Sequence, residues 1–196
     1  MSKLAVFLAE GFEEIEALTV VDVCRRAELE VSVVSVRGGG EPRERKLVEG
    51  AHGIVVRADT VFEEVDFTRL DMIVLPGGGL GTKNLEAHGG LMERLEEFYR
   101  AGKYVAAICA APSILGHRGM LKGRKACSYP ALESHLEGAQ VSREAVAVSG
   151  TVVTSRGMGT AIPFSLAITE IFCGREKARS LAEGIVYHDG EEARTR

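Results

Sequence analysis

Short apolar runs alternate with longer amphipathic segments along the chain, and the two patterns predict strands and helices in turn. The runs typical of buried strands are residues 3–8, 31–36, 72–75 and 103–108. Helical periodicity is present in residues 13–27, 91–100, 163–173 and 175–185. Residues 145–149 and 152–155 flank Gly150 and predict a hairpin, and residues 47–48 with 53–57 predict a second, smaller pair.

Alternation of strands and helices over most of the chain is typical of an α/β fold with a largely parallel sheet. No repeat, low-complexity tract or linker divides the sequence, so we expect one domain over residues 1–196. Ligands in such sheets bind beyond the carboxyl ends of the strands. Loops 9–16, 76–84 and 109–112 are therefore expected to meet at one edge.

A cysteine stands at the end of run 103–108, where the predicted strand gives way to a helix. Pro112 suits the first helical position, because its missing N–H loses no hydrogen bond there. Such a turn aims backbone N–H groups and the positive end of the helix dipole at the Cys109 sulfur. The pattern predicts a reactive Cys109 with its thiolate favoured, and the alternative is a buried structural cysteine.

The glycine-rich loop GGGLG at residues 77–81 follows a predicted strand. It does not fit G-x-G-x-x-G, because Thr82 replaces the last glycine, and it lacks the G-K-[ST] ending of a P-loop. One interpretation is a tight turn. The interpretation we favour is a loop whose N–H groups approach an oxyanion, because it lies at the same sheet edge as Cys109.

Three glutamates open the first helix, where acidic side chains suit the helix dipole. Glu13 and Glu14 are expected to be solvated. Glu16 is either solvated as well or directed inward toward the thiol. In the inward position, loss of solvation would raise its pKa and let it hold or move a proton beside the sulfur.

Composition excludes several classes of function. The chain of 196 residues is 45% hydrophobic with a net charge of -4, and no basic cluster indicates a nucleic-acid partner. No apolar run is long enough to span a membrane, and no signal peptide is evident, so a cytoplasmic protein is expected. The four cysteines form no C-x-x-C pair, so no structural metal site is expected.

Four stretches spread over nearly the whole chain carry a family resemblance: AEGFEEIEALTVVDVCRRA at 9–27, LPGGGLGTKNL at 75–85, AAICAAPSIL at 106–115 and TSRGMGTA at 154–161. The chain resembles the ThiJ/PfpI superfamily, and within it the parkinsonism-associated protein deglycase branch. The resemblance implies a flavodoxin-like three-layer α/β/α sandwich with a mostly parallel central sheet, and a homodimer.

The resemblance also implies roles for individual residues. Cys109 would be the nucleophile or oxidisable thiol, with Glu16 as its protonated carboxyl partner. The N–H groups of Gly78 and Ala110 would bind an oxyanion or a sulfinate. The further pocket candidates are Tyr129, Gly157, Arg26 and His52, the last two from positions that line the dimer interface in the family.

The leading hypothesis is a cofactor-independent cysteine enzyme that acts on reactive dicarbonyls or glycated proteins, of the glyoxalase III or deglycase type. A second hypothesis is a redox-sensing or chaperone-like protein without turnover. A third, an intracellular cysteine peptidase, is weakened because Tyr129 occupies the place where PfpI-type peptidases carry a histidine.

Overall fold

The computed structural model describes residues 2–188, in which a seven-stranded sheet forms the centre of the molecule. The strands are β1 (Lys3–Leu8), β2 (Glu30–Ser35), β3 (Leu47–Glu49), β4 (Val55–Arg57), β5 (Thr60–Val61), β6 (Met72–Leu75), β7 (Tyr104–Ile108), β8 (Lys125–Ala126), β9 (Gln140–Val141), β10 (Val146–Ser149) and β11 (Val152–Ser155). The helices are α1 (Glu14–Arg26), α2 (Pro42–Arg45), α3 (Gly79–Ala87), α4 (Gly89–Arg100), α5 (Pro112–His117), α6 (Ala161–Cys173) and α7 (Arg175–Gly184).

The central sheet has the strand order β10-β11-β7-β6-β1-β2-β5. All neighbouring pairs are parallel except β10 with β11, which form the hairpin predicted around Gly150. The pair β3 and β4 is antiparallel and lies outside the main sheet. The expected mostly parallel sheet is therefore confirmed.

Side-chain alternation along β1 divides the interior into two layers. Leu4, Val6 and Leu8 pack on one face with residues of α1 and α6, whereas Ala5 and Phe7 pack on the other with residues of α4 and α5. Helices therefore cover both faces of the sheet. This is the three-layer sandwich expected from the sequence.

The loop after β6 differs from the expectation. Residues 76–84 were expected to form a loop, but helix α3 begins at Gly79 and continues to Ala87. Gly79 and Gly81 lower its intrinsic helix propensity, and the fully buried Leu85 fixes the helix against the core. Gly81 also packs against the backbone of Phe12, in contact too close for a side chain.

The carboxyl ends of β1, β6 and β7 lie side by side, since these strands are neighbours in the sheet. The segments that follow them contain Glu16, Gly77–Gly78 and Cys109. These segments meet at one edge, as the sequence predicts. Within residues 2–188, every helix is too short or too polar to cross a lipid bilayer.

Candidate active site around Cys109

Cys109 occupies a strained backbone position directly after β7. Its φ of 64° lies in the left-handed region, which residues other than glycine seldom adopt. Its N–H donates to the carbonyl of Ser155 at 3.0 Å, and its carbonyl accepts the N–H of Tyr129 at 2.8 Å. These bonds hold the residue on a sharp strand-to-helix turn, a conformation that recurs where a nucleophile must be presented.

The carboxyl group of Glu16 reaches the same point from the first turn of α1. The residue is 1% exposed, and its Oε2 accepts the N–H of Gly77 at 2.8 Å. The carboxyl also interacts with the sulfur of Cys109. Its other oxygen, Oε1, is buried and has no hydrogen-bond partner among the described residues. Of the two orientations considered for Glu16, solvated or directed inward toward the thiol, the structure has the inward one.

Gly77 is the residue that lets the carboxyl and the thiol approach each other. A Cβ at this position would lie 2.6 Å from Oε2 of Glu16 and 2.7 Å from Cβ of Cys109. Any side chain there would push the pair apart. The sequence indicates that the loop needs glycines. It does not indicate that Gly77 is needed for Glu16 to approach Cys109.

The pKa values of the pair are perturbed together. Burial raises the pKa of Glu16 to about 7, and hydrogen bonds from Cys109 and Gly77 oppose the shift. Burial and the Glu16 carboxylate raise the pKa of Cys109 to about 12, although the N–H groups of Ala110 and Gly78 oppose this. The predicted increase for Glu16 is confirmed.

The expectation of a thiolate favoured by the turn is wrong, because burial and the neighbouring negative charge outweigh the two N–H groups. Helix α5 begins only at Pro112 and has six residues, so its dipole adds little. Above pH 7 the pair retains one proton, and the carboxylate lies beside a neutral thiol.

Two of the other pocket candidates lie beside the sulfur. A Cβ at Gly157 would be 3.9 Å from Sγ of Cys109 and 3.8 Å from Cδ2 of Tyr129. The Tyr129 side chain is half exposed, at 51%. Within residues 2–188, the hydrogen-bonding groups that shift the pKa of Cys109 are Glu16, Ala110 and Gly78, with no histidine among them. This arrangement does not form a cysteine–histidine pair.

His52 bonds to Glu14, in the first turn of α1. Its N–H and its Nδ1 contact the two carboxylate oxygens of Glu14 at 2.7 and 2.8 Å. Glu14 is 3% exposed, so the expectation that it is solvated is wrong. Its side chain packs against Gly50 and accepts the backbone N–H of His52. The ion pair raises the pKa of His52 and lowers that of Glu14.

Arg26 is remote from the sulfur within one chain. It lies ten residues beyond Glu16 on α1, about 15 Å along the helix axis. Its guanidinium pairs with Asp22 at 2.8 Å on the exposed side. Arg26 is therefore not part of the pocket that one chain forms around Cys109, whereas the role of His52 as a pocket residue stays a prediction.

Among residues 2–188, Glu13, Glu14 and His52 place ligand atoms within 4.8 Å of one another. Both oxygens of Glu14 already accept hydrogen bonds from His52. The carboxylate of Glu14 therefore has its hydrogen-bond partners without an ion.

Known proteins resemble this chain over most of its length. The sequence model of the DJ-1/PfpI family matches residues 2–171. The chain belongs to the DJ-1/PfpI family. It is 36% identical over 190 residues to protein dj-1beta of Drosophila melanogaster, covering 95% of this chain and 98% of that protein.

Two further family members extend the comparison. The glutathione-independent glyoxalase DJ-1 of Schizosaccharomyces pombe is 28% identical over 193 residues, covering 94% of this chain and 98% of that protein. The oxidized structure of Toxoplasma gondii DJ-1 superimposes with a TM-score of 0.89 at 33% identity, covering 96% of this chain and all of that one. The DJ-1 fold therefore extends over nearly the whole chain.

Proposed function

We propose that the protein is a cofactor-independent cysteine enzyme that converts reactive dicarbonyls, free or as early adducts on proteins, into 2-hydroxy acids. The observation that carries the proposal is the Cys109–Glu16 pair, which brings a nucleophile and a base with a pKa of about 7 into contact. The relative from Schizosaccharomyces pombe named as a glyoxalase supports the same class of reaction.

In the first step the Cys109 sulfur forms a bond to the aldehyde carbon while the Glu16 carboxylate takes the thiol proton. Negative charge develops on the former carbonyl oxygen. The N–H groups of Gly78 and Ala110, which already face the sulfur, would stabilise that charge. Return of the proton from Glu16 to that oxygen gives a hemithioacetal and restores the carboxylate.

Glu16 then moves a proton between the two adjacent carbons of the substrate. The carboxylate removes the hydrogen from the former aldehyde carbon and delivers it to the neighbouring carbonyl carbon, while the hydroxyl proton on the first carbon moves to the oxygen on the second. The first carbon is oxidised and the second reduced, so no external oxidant is required. Water cleaves the resulting thioester, which releases the 2-hydroxy acid and restores the thiol.

The test is lactate formation from methylglyoxal by wild type and by Cys109→Ser. Cys173→Ser is the matched control, because Cys173 is a partly buried thiol outside the site. We expect the control to retain turnover, Cys109→Ser to have none, and Glu16→Gln to lose about 100-fold or more in kcat. Lactate production that survives in Cys109→Ser would contradict the proposal.

A second candidate function is redox sensing without turnover. Among the four thiols, Cys24 and Cys127 are fully buried, whereas Cys109 is partly exposed. The same N–H groups of Gly78 and Ala110 would hold a sulfinate. After mild peroxide treatment, mass spectrometry should find two added oxygens on Cys109 before the other thiols. Oxidation that begins at Cys173 would contradict this function.

The proposed enzyme acts as a homodimer. A groove of about 680 Å³ lies along the outer side of α1, where apolar side chains remain exposed. These include Ile15, Leu18, Ile54 and Ile162. Covering them with a second copy would remove this surface from water, which favours association.

Light scattering after gel filtration should give about twice the chain mass of 21.0 kDa. Leu18→Glu should convert the dimer to monomer, because it places a charge in the interface. Val148→Glu, on the exposed side of β10, is the control that should remain dimeric. A monomeric wild type would exclude the dimer without bearing on the chemistry of Cys109.

A further inference from the structure

Two histidine rings meet where α5 ends against the 3-10 turn Pro130–His135. Nε2 of His117 lies 3.1 Å from Nδ1 of His135, with the ring planes at 74°. The other nitrogen of His117, Nδ1, lies 2.7 Å from Oε1 of Glu86 on α3. A carboxylate and two imidazoles thus form a continuous chain at the surface.

The backbone holds the two rings together. A Cβ at Gly116 would lie only 2.0 Å from the carbonyl oxygen of His135, so glycine is needed for α5 to approach the turn this closely. Gly116 directly precedes His117. The separation of the rings is therefore set largely by packed backbone rather than by long side chains.

The hydrogen bond to Glu86 determines which ring nitrogen of a neutral His117 carries the proton. An ionised carboxylate only accepts hydrogen bonds, so the proton of a neutral His117 ring lies on Nδ1. Its Nε2 then presents a lone pair toward His135. A ring that donates one N–H to a carboxylate while its other nitrogen is free is the usual arrangement of a metal-ligating histidine.

The spacing of the nitrogens fits one ion. Two imidazole nitrogens on a tetrahedral zinc ion, each about 2.0–2.1 Å from the metal, are about 3.3 Å apart. The observed separation of 3.1 Å is within a few tenths of an ångström of this value, and the two rings must turn so that both lone pairs face the ion. We infer that His117 and His135 form a bidentate site for a divalent transition-metal ion such as zinc, with Glu86 orienting His117.

Metal binding replaces the hydrogen bond between the rings. The proton on Nδ1 of His135 moves to Nε2 of the same ring, which frees the Nδ1 lone pair for the ion, and water completes the coordination. The nearby cation Arg118 pairs with Glu96 at 2.7 Å, which offsets its repulsion of the ion. The expectation of no structural metal site rested on the spacing of the cysteines. It did not consider these two histidines, which are 18 positions apart in the sequence.

The test is calorimetric titration of the full chain with zinc chloride, together with NMR of the imidazole nitrogens. We expect one saturable site, with His117 and His135 resonances moving together. His117→Gln or His135→Gln should each weaken binding at least about tenfold, and Glu86→Gln about tenfold. Affinity should decrease as the pH falls, because protons compete for the ligand nitrogens.

Two control variants identify competing sites. His52→Gln tests the cluster with Glu13 and Glu14, and Cys109→Ser tests the thiol; both should retain the zinc affinity of wild type. His135 is exposed, and thermal unfolding of His135→Gln should match wild type in the absence of zinc. The inference is overturned if wild type shows no saturable binding, if His135→Gln binds zinc normally, or if either control abolishes binding.

Discussion

Replacement of Glu16 by glutamine should change how the stability of the protein depends on pH. The carboxyl group is 1% exposed, and its pKa rises from 4.5 to about 7 on folding. Between these values the folded protein binds more protons than the unfolded chain, so its free energy of unfolding decreases as the pH rises. The difference between these two pKa values corresponds to about 3 kcal/mol in all.

Glutamine cannot ionise, has nearly the same shape, and can still accept the N–H of Gly77. Relative to wild type, the free energy of unfolding of Glu16→Gln should therefore increase by about 2–3 kcal/mol from about pH 5 to about pH 8. Urea unfolding at several pH values measures this difference. The control is Glu137→Gln, which makes the same exchange at an exposed position. If the difference in free energy of unfolding between wild type and variant does not change with pH, the pKa of Glu16 is not raised and the reasoning is refuted.

Two other predictions concern the same pair. Because the ionised Glu16 is the base, kcat/KM should rise with pH through about 7; a profile that is flat there would show that another group accepts the proton. Gly77→Ala should cost about 1–3 kcal/mol in urea unfolding and remove turnover, since its Cβ would overlap Glu16 and Cys109. Gly79→Ala, which meets nothing within 4 Å, is the control that should retain both.

Much of the fold was predictable because local patterns and tertiary packing agree. The strands Lys3–Leu8 and Met72–Leu75 coincide with the apolar runs, and Pro112 begins α5 as its missing N–H suggested. The hairpin turns at Gly150, whose φ is 63°. In each of these places one residue type or one periodicity determines the local backbone.

Helix α3 was missed because its stability comes from contacts distant in the sequence. Its segment GLGTKNLEA contains two glycines and lacks a strong apolar stripe. Burial of Leu85 and the close contact of Gly81 with Phe12 decide the conformation. Neither contact is visible in the sequence, since each depends on where β1 and its following loop lie.

The residues of the site were predictable, but their ionisation was not. The glycine loop, Glu16 and Cys109 follow adjacent strands, so their meeting at one sheet edge could be expected. The pKa of Cys109 depends on how deeply the sulfur is buried and on the distance to one carboxylate. The dipole argument considered the turn alone and therefore gave the wrong direction.

Glu14 illustrates the same limit. An acidic residue in a first helical turn is normally solvated, yet here the loop containing Gly50 and His52 covers it. That loop connects β3 to β4, outside the main sheet. Only its packing against α1 distinguishes the buried carboxylate of Glu14 from an ordinary surface one.

The most direct test of the coupled pair is the pH titration of Cys109 in wild type and in Glu16→Gln. Thiolate absorbance in the ultraviolet, with the same titration of the Cys109→Ser form subtracted from each, isolates this one sulfur. Wild type should keep a thiol through neutral pH, and Glu16→Gln should ionise at lower pH because the carboxylate charge is gone. Identical titration curves for the two proteins would contradict the coupling between carboxyl and thiol.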